Sequence, residues 1–150
     1  IMNTPKAQPD ISNTEFEVLD VIWDSNPISS NEVIERLNQH KPWHEKTVKT
    51  LLGRLVKKGA ISFHKQQRQY LYYPLIAREE YVQEETSSFL SRLFKGKVAP
   101  MIAGFANQNE LSKEDIDDAY NTISKCRKQI ERAIVEDFDN LITENYEKII

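Results

Sequence analysis

Apolar residues recur at spacings of three and four from Phe16 to Trp23, from Val33 to Leu37 and from Val48 to Val56, and then give way to alternation. A period of three to four marks the buried face of a helix, and a period of two marks a half-buried strand. The pattern predicts three short helices followed by a strand pair. Ser12 and Glu15 form a capping box for the first helix, with Ile11 and Phe16 placed as a hydrophobic staple. That helix runs to about Asp24, with Phe16, Val18, Leu19, Ile22 and Trp23 inward. The same signature recurs at Ser29 and Glu32, with Ile28 and Val33 as the staple, for a helix that buries Val33, Ile34 and Leu37 and ends near Asn38. After Pro42 the third helix spans Glu45 to Lys58, with Val48, Leu51, Leu52, Leu55 and Val56 inward and Gly59 as its C-terminal cap.

Ile61 and Phe63 alternate with polar neighbours, Gln66-Gln67-Arg68 reads as a turn, and Tyr70 to Tyr73 are strand formers closed by Pro74. This is a two-stranded hairpin. Tyr70 and Tyr72 share one face and are expected to close the sheet onto the helices. Core packing is the reading taken for the tyrosines, Trp23 and Trp43, ahead of stacking on single-stranded bases. Three helices and a hairpin in this order make the winged helix-turn-helix, whose third helix enters the major groove while the hairpin lies against the backbone beside it.

Helical spacing returns from about Arg78 to Phe94, with Tyr81, Val82, Phe89, Leu90, Leu93 and Phe94 on one side, and Gly96 breaks it. Residues 98 to 108 form a short apolar helix with Pro100 in its first turn. Ser112 caps a last helix with an apolar stripe that runs through Ile116, Ile123, Ile130, Ile134, Phe138 and Leu141 and needs a partner surface. The fold class is mainly α: a winged helix-turn-helix of three helices and a two-stranded wing, then a C-terminal helical dimerisation region. The expected divisions are a flexible arm over 1–10, a DNA-binding winged helix over 11–75, a dimerisation region over 76–129 and a helical extension over 130–150.

Net charge is −3, but its distribution matters more than its sum. Residues 1 to 40 hold two cations and seven acids, and residues 41 to 70 hold eight cations and one acid, net +7. Residues 71 to 100 hold four of each, and residues 101 to 150 hold six cations and eleven acids. One basic block thus sits inside an acidic protein, on the predicted third helix and wing. Cys126 is the sole cysteine, which rules out an intrachain disulfide and a thiolate-rich metal site and fits a reducing cytoplasm. No apolar run reaches the ~18 residues of a membrane span, and the first residues lack the basic and apolar regions of a signal peptide.

With its apolar side buried, the third helix presents Lys46, Thr47, Lys49, Thr50, Gly53 and Arg54. Long cations reach phosphates or guanine edges, threonine donates to phosphate or packs a thymine methyl, and Gly53 allows close backbone approach. The wing adds His64, Lys65 and Arg68. Lys57 and Lys58 either touch DNA or simply stabilise the negative end of the helix dipole. His40 and His44 straddle Pro42, which denies them a common helix, so neither a metal nor any other cofactor is expected. No phosphate loop, nucleophile elbow or catalytic set is present in the sequence, so an enzyme is not the expectation. The competing reading is a winged-helix module that binds protein and not DNA, for which the basic block would have no use.

The segment Ile11 to Tyr73 resembles the BlaI/MecI penicillinase-repressor family, which includes the copper-responsive CopY repressors. The resemblance is carried by Glu15-Phe16-Glu17-Val18-Leu19-Asp20-Val21-Ile22-Trp23, by the run from Lys46 to Gly59 and by Tyr72-Tyr73-Pro74, and continues through Phe89 to Phe94, Phe105 and Leu111 to Ile116. It implies a dimeric repressor that binds an inverted-repeat operator, with Lys46, Thr47, Lys49, Thr50 and Arg54 at the DNA-facing positions. It also implies a membrane sensor protease that triggers cleavage within the dimerisation region. The family's scissile Asn-Phe bond falls at Gly104-Phe105, where the Asn is missing, and the paired cysteines of the copper-responsive branch are absent. Phe89, Leu90, Leu93, Phe94, Met101, Ile102, Phe105 and Ile116 lie outside the winged-helix core and are the expected dimer contacts.

Overall fold

The computed structural model describes residues 8–149 and falls into two compact units that divide after Gly96. In the first, α1 (Asn13–Asp24), β1 (Ile28–Ser29), α2 (Ser30–Asn38), α3 (Glu45–Lys57), β2 (Ile61–Gln66), β3 (Gln69–Pro74) and α4 (Arg78–Phe94) follow in order. The second contains α5 (Val98–Asn107) and α6 (Lys113–Ile149). Helices α1 and α2 start, and α3 stops, where capping chemistry predicts. Ser12 and Ser29 accept hydrogen bonds from the Glu15 and Glu32 amides, both at 3.3 Å. At the end of α3 the Gly59 and Ala60 amides return to the Val56 and Leu55 carbonyls, and Gly59 has φ +78°, a conformation that a side chain disfavours.

The core of the head is built from Val18, Leu19 and Ile22 of α1, Ile28, Val33, Leu37, four apolar residues of α3, Ala60 and Ile61. Fully burying each large aliphatic side chain contributes about 1.5–3 kcal/mol, so this cluster dominates the stability of the head. The expected hairpin is present as β2 paired with β3, and β1, a strand that the sequence pattern does not predict, joins it to give three strands in the order β1-β3-β2. Ile28 lies opposite Tyr72 and Ser29 opposite Leu71. A two-residue strand has no alternation to read, and the Ile28-Ser29 pair doubles as the entry to α2. The expected role of Tyr70 is also corrected. Tyr72 packs against the core, but Tyr70 is 50% exposed, beyond the end of β1, where it packs edge-on against Phe63 at 4.8 Å.

Helix α4 is held on the head by chemistry at its first turns. Trp23 Nε1 donates to the Ile76 carbonyl at 2.9 Å, and the Phe16, Trp23 and Tyr81 rings meet at 5.8–5.9 Å. Arg78 bridges Asp20 and Asp24 at 2.6 and 2.8 Å. Past Tyr81 the helix leaves the core, so Phe89 and Leu93 are exposed while Leu90 and Phe94 are half-buried. Residues 1–7 of the expected arm lie outside the described residues; Gln8 donates to Glu85 at 2.8 Å. In the second unit Ser112 and Asp115 cap α6 reciprocally, and Ile102, Phe105 and Ile116 are exposed while Met101 is half-buried. Gly104 and Phe105 lie inside α5. Among the described residues no helix is long and apolar enough to cross a membrane.

Candidate nucleic-acid interface

Helix α3 puts its two faces to different uses. Val48, Leu51, Leu52 and Leu55 are buried, and the other face carries Lys46, Thr47, Lys49, Thr50, Gly53 and Arg54, all exposed. Nothing lies within 4 Å of a Cβ placed on Gly53, so the outer surface of the helix is open. His44 caps the helix, its Nδ1 accepting from the Lys46 amide at 3.2 Å. This satisfies one of the unpaired amides of the first turn with an aromatic side chain, a cap that ordinary preferences do not flag.

The individual side chains are less equivalent than the sequence suggests. Lys49 Nζ lies 2.8 Å from Glu45 Oε1, an exposed pair four residues apart. The hydrogen bond and charge of Lys49 hold the Glu45 carboxyl below its usual value. Glu45 is thus a charge partner within the exposed face of α3, and Glu followed four residues later by Lys is legible in the sequence. The Thr50 hydroxyl donates to the Lys46 carbonyl at 2.9 Å, so its proton is committed to the helix and its methyl is left for outside contacts. Among the described residues Lys46, Arg54, Lys57, Lys65 and Arg68 have no acidic group within 4.0 Å.

Lys58 has a structural task. Its ammonium donates to Glu15 Oε1 at 2.9 Å and to the Asp10 carbonyl at 2.6 Å, and sits 2.8 Å from Glu15 Oε2. The Glu15 side chain is only 4% exposed. Burial pushes this carboxyl up, but the hydrogen bonds of Lys58 and Ser12, with the charges of Lys58 and Arg54, outweigh it and leave it below its ordinary value. The capping box is modified accordingly: Ser12 Oγ donates to Glu15 Oε1 at 2.9 Å, turning that carboxylate toward Lys58.

The wing extends past the short first strand. Ile61 to Gln66 pair with Pro74 to Gln69, and Gln67 takes φ +58° in the two-residue turn. Lys65 and Arg68 stand exposed at the tip, and Phe63, Tyr70 and Tyr72 form an aromatic run along one face. Burial pushes the Tyr72 phenol up, with Tyr70 adding to the shift and the Lys49 charge of α3 opposing it. The result is a helix and a hairpin tip, both cationic, on one compact head.

A family model described as penicillinase repressor matches residues 11–125. The chain belongs to the penicillinase repressor family. It is accordingly a DNA-binding transcriptional repressor with a winged-helix head. The chain is 38% identical over 124 residues to the penicillinase repressor of Bacillus licheniformis, covering 83% of this chain and 97% of that protein. It is 31% identical over 116 residues to the methicillin resistance regulatory protein MecI of Staphylococcus aureus strain N315, covering 77% and 94%. A solution structure of Bacillus licheniformis BlaI, in its monomeric form in complex with the blaP half-operator, is similar at 45% identity, with a TM-score of 0.43, and covers 49% of this chain and 89% of that one.

Proposed function

We propose that this penicillinase-repressor family member acts in the cytoplasm as a homodimer that binds an inverted-repeat operator, with α3 in the major groove and the wing on the flanking backbone. Lys46, Lys49, Arg54, Lys65 and Arg68 supply cationic contacts, Thr47 contacts phosphate or a thymine methyl, and Thr50 offers its methyl. The observation that carries this is the concentration of exposed cations on the open face of α3 and the wing tip of an otherwise acidic protein, of which Lys46, Arg54, Lys65 and Arg68 have no acidic partner among the described residues while Lys49 pairs with Glu45. A protein-binding winged helix has no need of that charge.

A single head makes too few contacts to select one site, and two heads on a two-fold axis double them and add the spacing of half-sites as a criterion. The exposed Phe89 and Leu93 of α4, Ile102 and Phe105 of α5 and Ile116 of α6, with the half-buried Leu90, Phe94 and Met101, are the proposed dimer surface. Anything that parts the two chains releases the operator. A sensor protease acting on Gly104-Phe105 would do so, and α5 must unwind there to be cut. The test is recovery of genomic DNA fragments bound by the purified protein, repeated with Lys46→Ala and Arg54→Ala. An inverted-repeat consensus beside promoters, lost with both substitutions, is the expected result. Fragments without a common sequence would remove the operator reading.

A further inference from the structure

Along α6 the exposed face is symmetric about Glu136. Ile123, Arg127, Ile130, Ile134, Phe138, Ile142, Asn145 and Ile149 follow at spacings of 4-3-4-4-4-3-4 residues, which read the same in both directions. Their chemistry is symmetric too, since the two polar interruptions, Arg127 and Asn145, each stand nine residues from Glu136. At about 3.6 residues per turn these positions share one side of the helix. All eight side chains are exposed. Most of this segment lies beyond the family match, which ends at residue 125, and beyond the Bacillus licheniformis repressor, 97% of which is already accounted for by the 124 aligned residues.

Charge selects the occupant and the direction. Residues 125 to 132 carry four cations and one acid, whereas residues 136 to 147 carry five acids and no cation. Parallel pairing of two such helices in register sets like charge on like. Antiparallel pairing about Glu136 lays the basic stretch of each copy along the acidic stretch of the other. We propose that residues 123–149 of α6 form a docking surface for the same segment of a second copy of this chain, antiparallel, with Glu136 at the level of the two-fold axis.

In this arrangement Ile123 faces Ile149, Ile130 faces Ile142 and Ile134 faces Phe138 across the seam. Arg127 faces Asn145, whose amide oxygen accepts from the guanidinium, while Arg127 Nε keeps its 3.0 Å bond to Glu131 within its own helix. A polar pair inside an apolar seam fixes register, because any slip buries the charge against hydrocarbon. Six apolar side chains from each copy, at roughly 100 Å² apiece, bury on the order of 1,000 Å² in all, the threshold for a specific interface. At 1.5 Å per residue, Ile116 then lies about 60 Å from its counterpart. Two copies joined in this way cannot also meet through Ile116, so the segment links one repressor dimer to another. That last step rests on the dimer proposed above. The product is a tetramer able to hold two operators at once.

The test is sedimentation equilibrium of the full chain, of a chain ended after Gln129, and of Ile134→Asp, whose site is exposed and outside the folded core. The expected result is a tetramer for the full chain and dimers for the other two, with the same affinity for a single operator. Dimers in all three, or tetramers in all three, would overturn the inference and leave the dimeric repressor standing. A full-length dimer that becomes a monomer in both variants would keep the α6 pairing and remove the proposed α4–α5 dimer surface, and a monomer throughout would remove both. Direction is read by spin labels on Glu136→Cys and Lys148→Cys in a Cys126→Ser background. Antiparallel pairing gives about 20 Å or less at 136 and about 35 Å at 148, whereas short distances at both positions would overturn it.

Discussion

Replacing Lys58 by methionine should destabilise the head without touching the proposed DNA-facing residues. The ammonium is the cationic partner of Glu15, whose carboxylate is 4% exposed, and it also ties the end of α3 to the Asp10 carbonyl. Removing one partner of a buried pair costs about 3–5 kcal/mol because it strands the other charge. The Lys58 side chain is 35% exposed, so water reaches the site and screens part of the attraction, which puts the cost nearer 2–3 kcal/mol. For a unit of this size that corresponds to a fall of about 10–20 °C in Tm. The pH dependence should change as well. The folded carboxyl is held below its ordinary value of 4.5, so its contribution is fully present above that pH and is lost as pH falls through the folded value. In Lys58→Met burial acts unopposed by the ammonium, the carboxyl shifts upward, and this loss on acidification shrinks or reverses. Circular dichroism melts from pH 3 to 8 check both effects, and Glu15→Gln added to Lys58→Met should recover at least half of the lost stability. A fall in Tm under about 3 °C at pH 7 for Lys58→Met would refute the clamp.

Other consequences follow from single contacts. Glu45→Gln frees Lys49 and removes an acid from the recognition helix, so operator affinity in mobility shifts at moderate salt should rise about three- to tenfold; a weaker complex would show that Glu45 positions Lys49 productively. Thr50→Val removes a hydroxyl already bound to the Lys46 carbonyl and keeps a methyl, so affinity should change by less than about threefold, whereas a loss of tenfold or more would show that the hydroxyl reaches DNA. Gly59→Ala meets no neighbour but imposes a side chain at φ +78°, and should cost about 1 kcal/mol in urea unfolding; no loss would mean that the Lys58–Ala60 turn relaxes.

Most of the head was legible because its signals are local. Serine caps followed by glutamate mark the starts of α1 and α2, the three-and-four apolar period traces α1 to α3 and a closing glycine ends α3, and the observed helix ends agree within a residue or two. What stayed hidden depends on residues far apart in the chain. The pairing of Ile28-Ser29 with Leu71-Tyr72 joins positions more than forty residues apart, and no periodicity marks it. Lys58 reads as one more cation in a basic run until the fold brings it to Glu15, which itself reads as a capping glutamate on an exposed first turn. The exposure of Tyr70 follows from β1 being too short to cover the wing, a length that only the three-stranded register reveals. The recognition face was readable because its chemistry is exposed and contiguous, and the Glu45–Lys49 pair within it needed only the four-residue spacing to be noticed.

If α3 and the wing hold operator phosphates through the cations of two heads, operator binding must weaken steeply with salt. With five cationic contacts per head, Lys46, Lys49, Arg54, Lys65 and Arg68, the plot of log K against log salt for a full inverted repeat should fall with a slope of roughly −9, at about 0.9 per phosphate contact. Arg54→Ala with Lys65→Ala should reduce the slope by about 4. A shallow slope near −2 that both substitutions leave unchanged would show that these cations do not hold the operator phosphates.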